Sequence, residues 1–344
     1  MKFAITASVL LVLLPGLPGL AWAQPLDQFG NRAAALGAFV AVADDASAVV
    51  WNPAGLVNGP FFNIVLDFGR GTVDPGDVLT SNAPAARSSS SLLAVGVLPL
   101  GISYYRLRQT RLNPAGTASS NRQERQVQFR SLVTSHLGVT VLQSLAEGFT
   151  VGATARLVRG SFASGLMSVT SWQAGFEKGE TLAEQGRTTA DVDVGALAST
   201  GRLRFGIVAR NLAAPTFGEP PESADCVQMC ESGGTTLARH VRIGAAWGDS
   251  WPATPRTIFS VDADLTRVRH PAGDRRDVAI GAERWFRTQT VGLRGGVRAS
   301  TTAKPRPVAT VGGSYALRAG TYIDVYAARG ADERRWGLAG RLTF

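Results

Sequence analysis

Apolar and polar residues alternate along most of the chain, starting at about residue 61. In one such segment Leu203, Phe205 and Ile207 fall on one face, whereas Arg204 and Arg210 fall on the other. Side chains of a β-strand point alternately to its two faces, so a period of two residues predicts a strand. The pattern therefore indicates an all-β protein.

Fourteen segments of this kind are separated by turns. Their predicted bounds are 61–72, 88–98, 101–112, 127–142, 148–160, 188–200, 202–213, 238–248, 256–268, 275–287, 289–299, 306–316, 319–329 and 334–344. The early connections after odd-numbered segments are long, as at 161–187, whereas several after even-numbered segments are nearly minimal, as at 99–100. Long loops at one end and short turns at the other are typical of outer-membrane barrels, although the longer turn at 249–255 fits this less well. We predict an antiparallel transmembrane β-barrel of about 14 strands.

Aromatic residues fall near the predicted strand ends, where they would form a girdle at the membrane interface. These residues are Trp247, Trp285, Trp336, Tyr104 and Tyr105. Glycine and alanine are abundant on the polar face, as expected for a curved sheet. A soluble β-sandwich stays an alternative, because its strands alternate in the same way.

The N-terminus has the pattern of a secretory signal peptide. A positive start at Lys2 precedes the apolar run Phe3–Leu14, and small residues at Ala21 and Ala23 predict cleavage after Ala23. A retained membrane anchor is the alternative, although the apolar run is short for a span. Gln24 in place of cysteine excludes lipid attachment at a new N-terminal cysteine. We therefore expect export, with an outer membrane as the location of the barrel.

Between the signal peptide and the first strand, residues 30–59 do not alternate. They contain Asp44-Asp45-Ala46 and Asn52-Pro53-Ala54. This segment resembles the N-terminal signature of the long-chain fatty acid transporter (FadL/OMPP1/TodX) family and of the related PorV-like outer-membrane proteins. The resemblance implies a fourteen-stranded barrel whose lumen is plugged by the N-terminal segment, with Asp44, Asp45, Asn52, Pro53 and Ala54 as the plug motif. It divides the chain into a signal peptide at 1–23, a plug segment at 24–60 and a transmembrane barrel at 61–344.

The composition of this segment supports a position inside the barrel. Leu36, Phe39 and Trp51 are among many apolar side chains that are unfavourable in water. A barrel of about fourteen strands is also too wide for its own side chains to fill. Asp44 and Asp45 would find inward arginines as partners. A capped turn before the first strand is the simpler alternative for Asn52-Pro53.

Charge on the predicted inner face comes mostly from arginine. The chain has 35 Lys and Arg residues and a formal net charge of +9. The predicted inward arginines are Arg202, Arg204, Arg210, Arg294, Arg298 and Arg341, and the predicted inward carboxylates are Asp191, Asp193, Asp262, Asp264, Asp277 and Glu283. Pairing between the two sets would order the lumen, and a solvated lumen wall is the alternative. The arginines follow strands rather than cluster with aromatic residues, so we expect no nucleic-acid partner.

No motif for catalysis or for a cofactor stands out. The sequence lacks a Gly-x-Ser-x-Gly elbow and a phosphate-binding glycine loop that ends in Gly-Lys. His136 is expected to be an ordinary lumen residue, and no metal site is predicted. Cys226 and Cys230 favour a disulfide that closes a small loop, the alternative being a metal site with Asp225 and Glu222. We therefore predict that the protein is not an enzyme and has no cofactor.

The resemblance implies uptake of hydrophobic or amphipathic, fatty-acid-like molecules through a plugged barrel. A PorV-like scaffold or secretion-system partner is the alternative function. The expected partners are outer-membrane lipid, a hydrophobic small-molecule ligand and the barrel assembly machinery. The aromatic C-terminal residue Phe344 is expected to serve as the assembly signal and to face lipid, because it is in register with Leu342 and Leu338.

Overall fold

The computed structural model of the protein describes residues 21–22, 29–116, 123–180, 186–217, 235–251, 255–270, 273–287, 289–302 and 306–344. The predicted signal peptide, apart from residues 21–22, lies outside the described residues, and so does the predicted pair Cys226 and Cys230.

Fourteen antiparallel strands close into a single barrel, which confirms the predicted fold class. The barrel strands are β1 (Phe62–Val73), β2 (Ala85–Val97), β3 (Leu100–Pro114), β4 (Arg125–Ala146), β5 (Phe149–Val169), β6 (Gly186–Thr200), β7 (Leu203–Arg210), β8 (His240–Gly248), β9 (Thr257–Asp264), β10 (Asp277–Phe286), β11 (Val291–Ser300), β12 (Val308–Arg318), β13 (Thr321–Arg329) and β14 (Glu333–Thr343). The ring closes where β14 pairs with β1. Strand β1 therefore begins, and strand β14 ends, at the same end of the barrel. There the Phe344 N–H donates to the Phe62 carbonyl (2.8 Å).

Strands β4 and β5 are longer than predicted. They have 22 and 21 residues, whereas about ten suffice to cross a bilayer. The parts of both strands that are nearer the long loops are packed on both faces. On the outer face, Phe129 and Met167 contact a helix, and on the inner face Leu132 contacts Phe217 and Leu237. Burial of both faces removes the apolar and polar alternation, which is why the sequence pattern ends early.

The outer wall of the barrel is an apolar belt. Exposed outward side chains include Leu66, Ile102, Leu137, Leu157, Ile280 and Leu338. Trp336 is also exposed on this face, at 58% of its surface, and Tyr104 at 46%. For two residues of the predicted girdle the prediction is wrong, because Tyr105 and Trp285 are buried and point into the barrel. Tyr105 follows the outward Tyr104, and Trp285 shares a face with the buried Glu283, so strand periodicity places both rings inside.

Loop lengths alternate as predicted. One end carries the long connections, such as 170–185, and the other carries two-residue turns, such as 98–99 and 147–148. The turn at 249–256 is the longer exception that the sequence indicated. Short strands in the long loops pair with one another: Thr235–Leu237 with Thr216–Phe217, and Val268–His270 with Gly273–Arg275. Thr235–Leu237 also pairs with Ala21–Trp22, which precedes the barrel and lies in the predicted signal peptide.

The helices in the described part of the chain are few and short. They are α1 (Asn31–Leu36), α2 (Ala48–Trp51), α3 (Trp172–Glu180) and a 3-10 helix at Pro53–Asn58. Within the described part of the chain, no helix is both long and apolar enough to cross a membrane.

Candidate functional site in the barrel lumen

Residues 29–59, which we call the inner segment, lie within the barrel. Leu36, Phe39, Val40 and Trp51 are completely buried, although they belong to short irregular elements before the first strand. These side chains form one apolar cluster with inward residues of the wall. The wall residues of the cluster include Val65, Leu92, Leu107, Val208, Ala246 and Ile258.

Polar side chains of well-separated strands hold the backbone of the inner segment. On β1, the Asp67 carboxylate accepts a hydrogen bond from the Asn31 N–H (2.6 Å). On β9, the Asp262 carboxylate accepts from the N–H groups of Phe39 (2.8 Å) and Val40 (3.1 Å). These bonds satisfy backbone groups that are shielded from water. The segment is thereby attached to opposite parts of the wall.

The Asn52 side chain joins two parts of the inner segment to each other and to the wall. Its side-chain Nδ2 donates to the carbonyl oxygens of Val40 (3.0 Å) and Ala196 on β6 (3.2 Å). Its Oδ1 accepts from the Ala54 N–H (3.2 Å), and Pro53 fills the first position of the 3-10 helix. Pro has no N–H to satisfy and a suitable φ, so it fits this helix start. The Asn-Pro-Ala sequence thus forms a capped turn, the simpler of the two sequence interpretations, and this turn is buried against the wall.

A belt of glycines on the inner wall makes room for the segment. A Cβ atom added to any of eight inward glycines would come within 3.0 Å of an atom of the inner segment. These glycines are Gly152, Gly195, Gly206, Gly244, Gly281, Gly296, Gly312 and Gly337. A Cβ on Gly152, for example, would lie 2.6 Å from the Ala54 nitrogen. Sequence reasoning attributed these glycines to sheet curvature and missed this second role. Their recurrence on the inward face of β5 to β14 was the available signal.

Arg32 is the centre of a buried charge cluster that the sequence analysis did not identify. Its guanidinium forms ion pairs with Asp44 and, over 2.7 Å, with Glu283 on β10, and Asp45 lies 3.5 Å away. Glu283 also binds Arg294 of β11 (3.1 Å). Burial would lower the pKa of Arg32, but the carboxylates of Asp44 and Glu283 raise it above its ordinary value, so the guanidinium stays charged. Asp44 and Asp45 therefore pair within the inner segment, and not with the wall arginines that we expected.

A second cluster is formed by the wall alone. Arg156 of β5 binds Asp191 and Asp193 of β6 and donates to the Tyr105 hydroxyl (2.6 Å). The predicted inward Arg210 binds Asp193 (3.3 Å). The ring of His136 stacks on the Tyr105 ring at 4.1 Å. The sequence analysis named Asp191, Asp193 and Arg210 but missed Arg156, whose partners are adjacent only because β5, β6 and β7 are neighbours.

The other predicted lumen charges are mostly buried and paired. Four of them form ion pairs: Asp264 with His240 and Arg242, Asp277 with Arg275, Arg298 with Glu333, and Arg341 with Asp324. The guanidinium of Arg204 lies over the Trp251 ring, 4.0 Å from its centroid. Arg202 differs from this group. It lies in the two-residue turn before β7 and is exposed, so it is not a lumen residue.

The lumen has no arrangement suited to metal chemistry, since no group of three His, Cys, Asp or Glu side chains among the described residues is placed to hold a metal ion. The wall of the lumen is apolar and is covered by the inner segment, which is held in place by hydrogen bonds and ion pairs. Such an arrangement can act as a barrier across the barrel.

Solved structures of low sequence identity share the fold. The CymD monoaromatic hydrocarbon channel superposes with a TM-score of 0.64 at 15% identity, covering 94% of this chain and 99% of that chain. The Ralstonia pickettii toluene transporter TbuX gives 0.61 at 15% identity, covering 93% and 99%. A Pseudomonas aeruginosa FadL homologue gives 0.56 at 11% identity, covering 94% and 100%. The fold is therefore that of FadL/TodX-type barrels, as the sequence resemblance implied.

Sequence comparison adds a family assignment. No curated protein matches the sequence. A family model described as "F plasmid transfer operon, TraF, protein" matches residues 77–264, which is more than half of the chain. The chain therefore belongs to this TraF family, and its fold is of the FadL/TodX type.

Proposed function

We propose that the barrel carries hydrophobic or amphipathic small molecules across an outer membrane, with the inner segment as its gate. The observation that carries this proposal is the apolar contact between the inner segment and the wall: Trp51, Phe39 and Leu36 belong to the same buried cluster as Leu92 and Leu107 of the wall. A wall of this kind can solvate an apolar molecule once the segment moves aside.

The attachments of the inner segment suit a gate. Its polar contacts with the wall are discrete hydrogen bonds and ion pairs, such as the Arg32 ion pair with Glu283 and the bond from Asn52 to Ala196. Rearrangement of these contacts would free the apolar wall without unfolding the barrel, whose strand ladder is continuous. The solved barrels of the same fold include a toluene transporter and a monoaromatic hydrocarbon channel, which agrees with an apolar substrate.

Uptake measurements test this proposal. Cells with and without the protein are given a labelled long-chain fatty acid or a labelled monoaromatic hydrocarbon, with a labelled sugar as the polar control. We expect faster uptake of at least one apolar compound in cells that contain the protein, and no change for the sugar. Equal uptake of every apolar compound would contradict the transport function.

A role as a partner in a secretion system is the second candidate. The observation that favours it is the family match, because the family description refers to the transfer operon of the F plasmid. Conjugation frequency from donor cells that lack the protein tests this role. A fall in frequency together with unchanged uptake would favour the partner function over transport.

A further inference from the structure

Arginines line the outer wall of the barrel at the end that carries the long loops. On β1 the exposed Arg70 follows the outward apolar residue Phe68, and on β3 the exposed Arg106 follows the outward Tyr104. Both arginines thus lie directly beyond the apolar belt. Because an outward arginine is unfavourable in the bilayer core, we expect this level of the wall to lie at the membrane surface.

The same change from apolar residues to arginine occurs on neighbouring strands. Arg329 on β13, Arg334 on β14 and Arg159 on β5 are also outward and exposed. Arg329 and Arg334 are direct cross-strand partners. Like charges in that position repel each other unless an anion lies between them. The arginines therefore form a cationic arc around this part of the wall.

A groove lies within this arc. It has a volume of about 550 Å³ and is lined by Phe68, Arg70, Ser89, Arg106, Arg108 and Trp336, among others. Near it, the Arg87 guanidinium donates to the Gln173 side chain of α3 (2.6 Å) and lies over the Phe176 ring. Helix α3 thus packs on the outer face of the wall beside the groove.

The protein supplies no counterion to much of this arc. Among the described residues, no carboxylate forms an ion pair with Arg70, Arg106, Arg159, Arg329 or Arg334. In the lumen, by contrast, buried arginines such as Arg156 and Arg294 are paired with carboxylates. These five external arginines are therefore available to an anionic ligand at the membrane surface.

We propose that this groove binds the phosphate groups of a phosphorylated lipid in the outer leaflet. Guanidinium groups bind phosphate oxygens through two parallel hydrogen bonds, and serine hydroxyls such as that of Ser89 add further donors. Phe68 and Trp336 provide an apolar surface for the start of the acyl chains. A phosphorylated glycolipid fits both parts, because its phosphates lie at the level of the arginines while its chains follow the apolar belt.

The first test uses the full-length protein, purified in detergent, and lipid A as the probe. Native mass spectrometry counts bound lipid for the bisphosphorylated form and for a fully dephosphorylated form. We expect retention of the bisphosphorylated form alone. Equal retention of the two forms would overturn the proposal, and this comparison requires no variant.

The second test removes the charges. The double variant R70Q/R106Q should bind bisphosphorylated lipid A at least about tenfold more weakly, because it removes two of the guanidinium groups that donate charge-assisted hydrogen bonds to the phosphates. The matched control is R202Q/R284Q, which removes two exposed arginines at the short-turn end. Equal loss in both variants would show nonspecific charge attraction and overturn the site.

The third test separates lipid from free anion. Inorganic phosphate at millimolar concentration should leave the bound lipid in place, since it lacks acyl chains to contact Phe68 and Trp336. Full displacement by inorganic phosphate would show an anion site with no preference for lipid, and would contradict the proposal.

Discussion

The side-chain oxygen of Asn52 lies so close to Gly195 of β6 that a methyl group on Gly195 would overlap it. A glycine of the wall and an asparagine of the inner segment are thus complementary in shape. The same asparagine also donates to the carbonyl oxygen of Ala196, the next residue of β6. Steric fit and hydrogen bonding therefore hold the Asn-Pro-Ala turn at one place on the wall.

The first prediction tests this fit. Gly195→Ala should destabilise the folded protein by about 1–3 kcal/mol, because the added methyl group overpacks a filled interior. The measurement is the free energy of unfolding in urea, followed by tryptophan fluorescence. Gly340→Ala is the control, since a Cβ at Gly340 meets no atom within 4 Å. An equal effect of the two substitutions would refute the argument from fit.

The second prediction concerns the hydrogen bonds of Asn52. Asn52→Ala should lower the free energy of unfolding by about 1–3 kcal/mol, because the carbonyl groups of Val40 and Ala196 would remain buried without this donor. Asn58→Ala is the control, because the Asn58 Nδ2 finds no hydrogen-bond partner among the described residues. If the Asn58 variant were destabilised as much as the Asn52 variant, the assigned role of Asn52 would be wrong.

The third prediction concerns the buried charge cluster. Arg32→Met should cost about 3–5 kcal/mol, because it leaves the buried Asp44 carboxylate without this partner and leaves Glu283, among the described residues, with Arg294 alone as an ion-pair partner. The double variant R32M/E283Q should recover part of this loss. Arg202→Met removes an exposed arginine and should change the free energy of unfolding little. Additive losses in the double variant would argue against a direct interaction.

The fourth prediction concerns the inner segment as a barrier. Deletion of residues 30–50 removes most of the inner-segment residues of the buried cluster that includes Leu92, Leu107 and Val208 of the wall. Single-channel conductance in planar bilayers should rise, while heat-modifiable migration on a gel shows that the barrel remains folded. Folded protein with unchanged conductance would mean that the segment does not close the lumen.

The fifth prediction concerns the C-terminal residue. Phe344 is exposed, packs on the Phe62 ring at a centroid distance of 5.8 Å and closes the ladder between β14 and β1. Phe344→Ala should reduce the fraction of protein assembled in the outer membrane, measured by fractionation and heat-modifiable migration. Phe259→Ala, at another outward aromatic residue, is the control. Normal assembly of the Phe344 variant would exclude its role as an assembly signal.

The strand pattern was readable because it is local. Alternation within β7, from Leu203 to Arg210, follows from the geometry of a single strand, and the lengths of neighbouring loops follow from the chain itself. The part of β5 nearer the long loops could not be predicted from alternation, because α3 covers its outer face and the loop before β8 covers its inner face.

By itself the sequence determined the strand number, the alternation of long loops and short turns, the inward direction of five of the six arginines named for the lumen and the apolar character of the inner segment. Only the tertiary structure decided that Arg32 meets Glu283, 251 positions away, that Gly195 meets Asn52, and that Arg156 lies beside Asp191. Those pairs depend on the cross-strand register and on the path of the inner segment after the barrel has closed. The turn and the buried face set the register of two neighbouring strands, but the position of the inner segment against distant strands is decided only when all fourteen have closed.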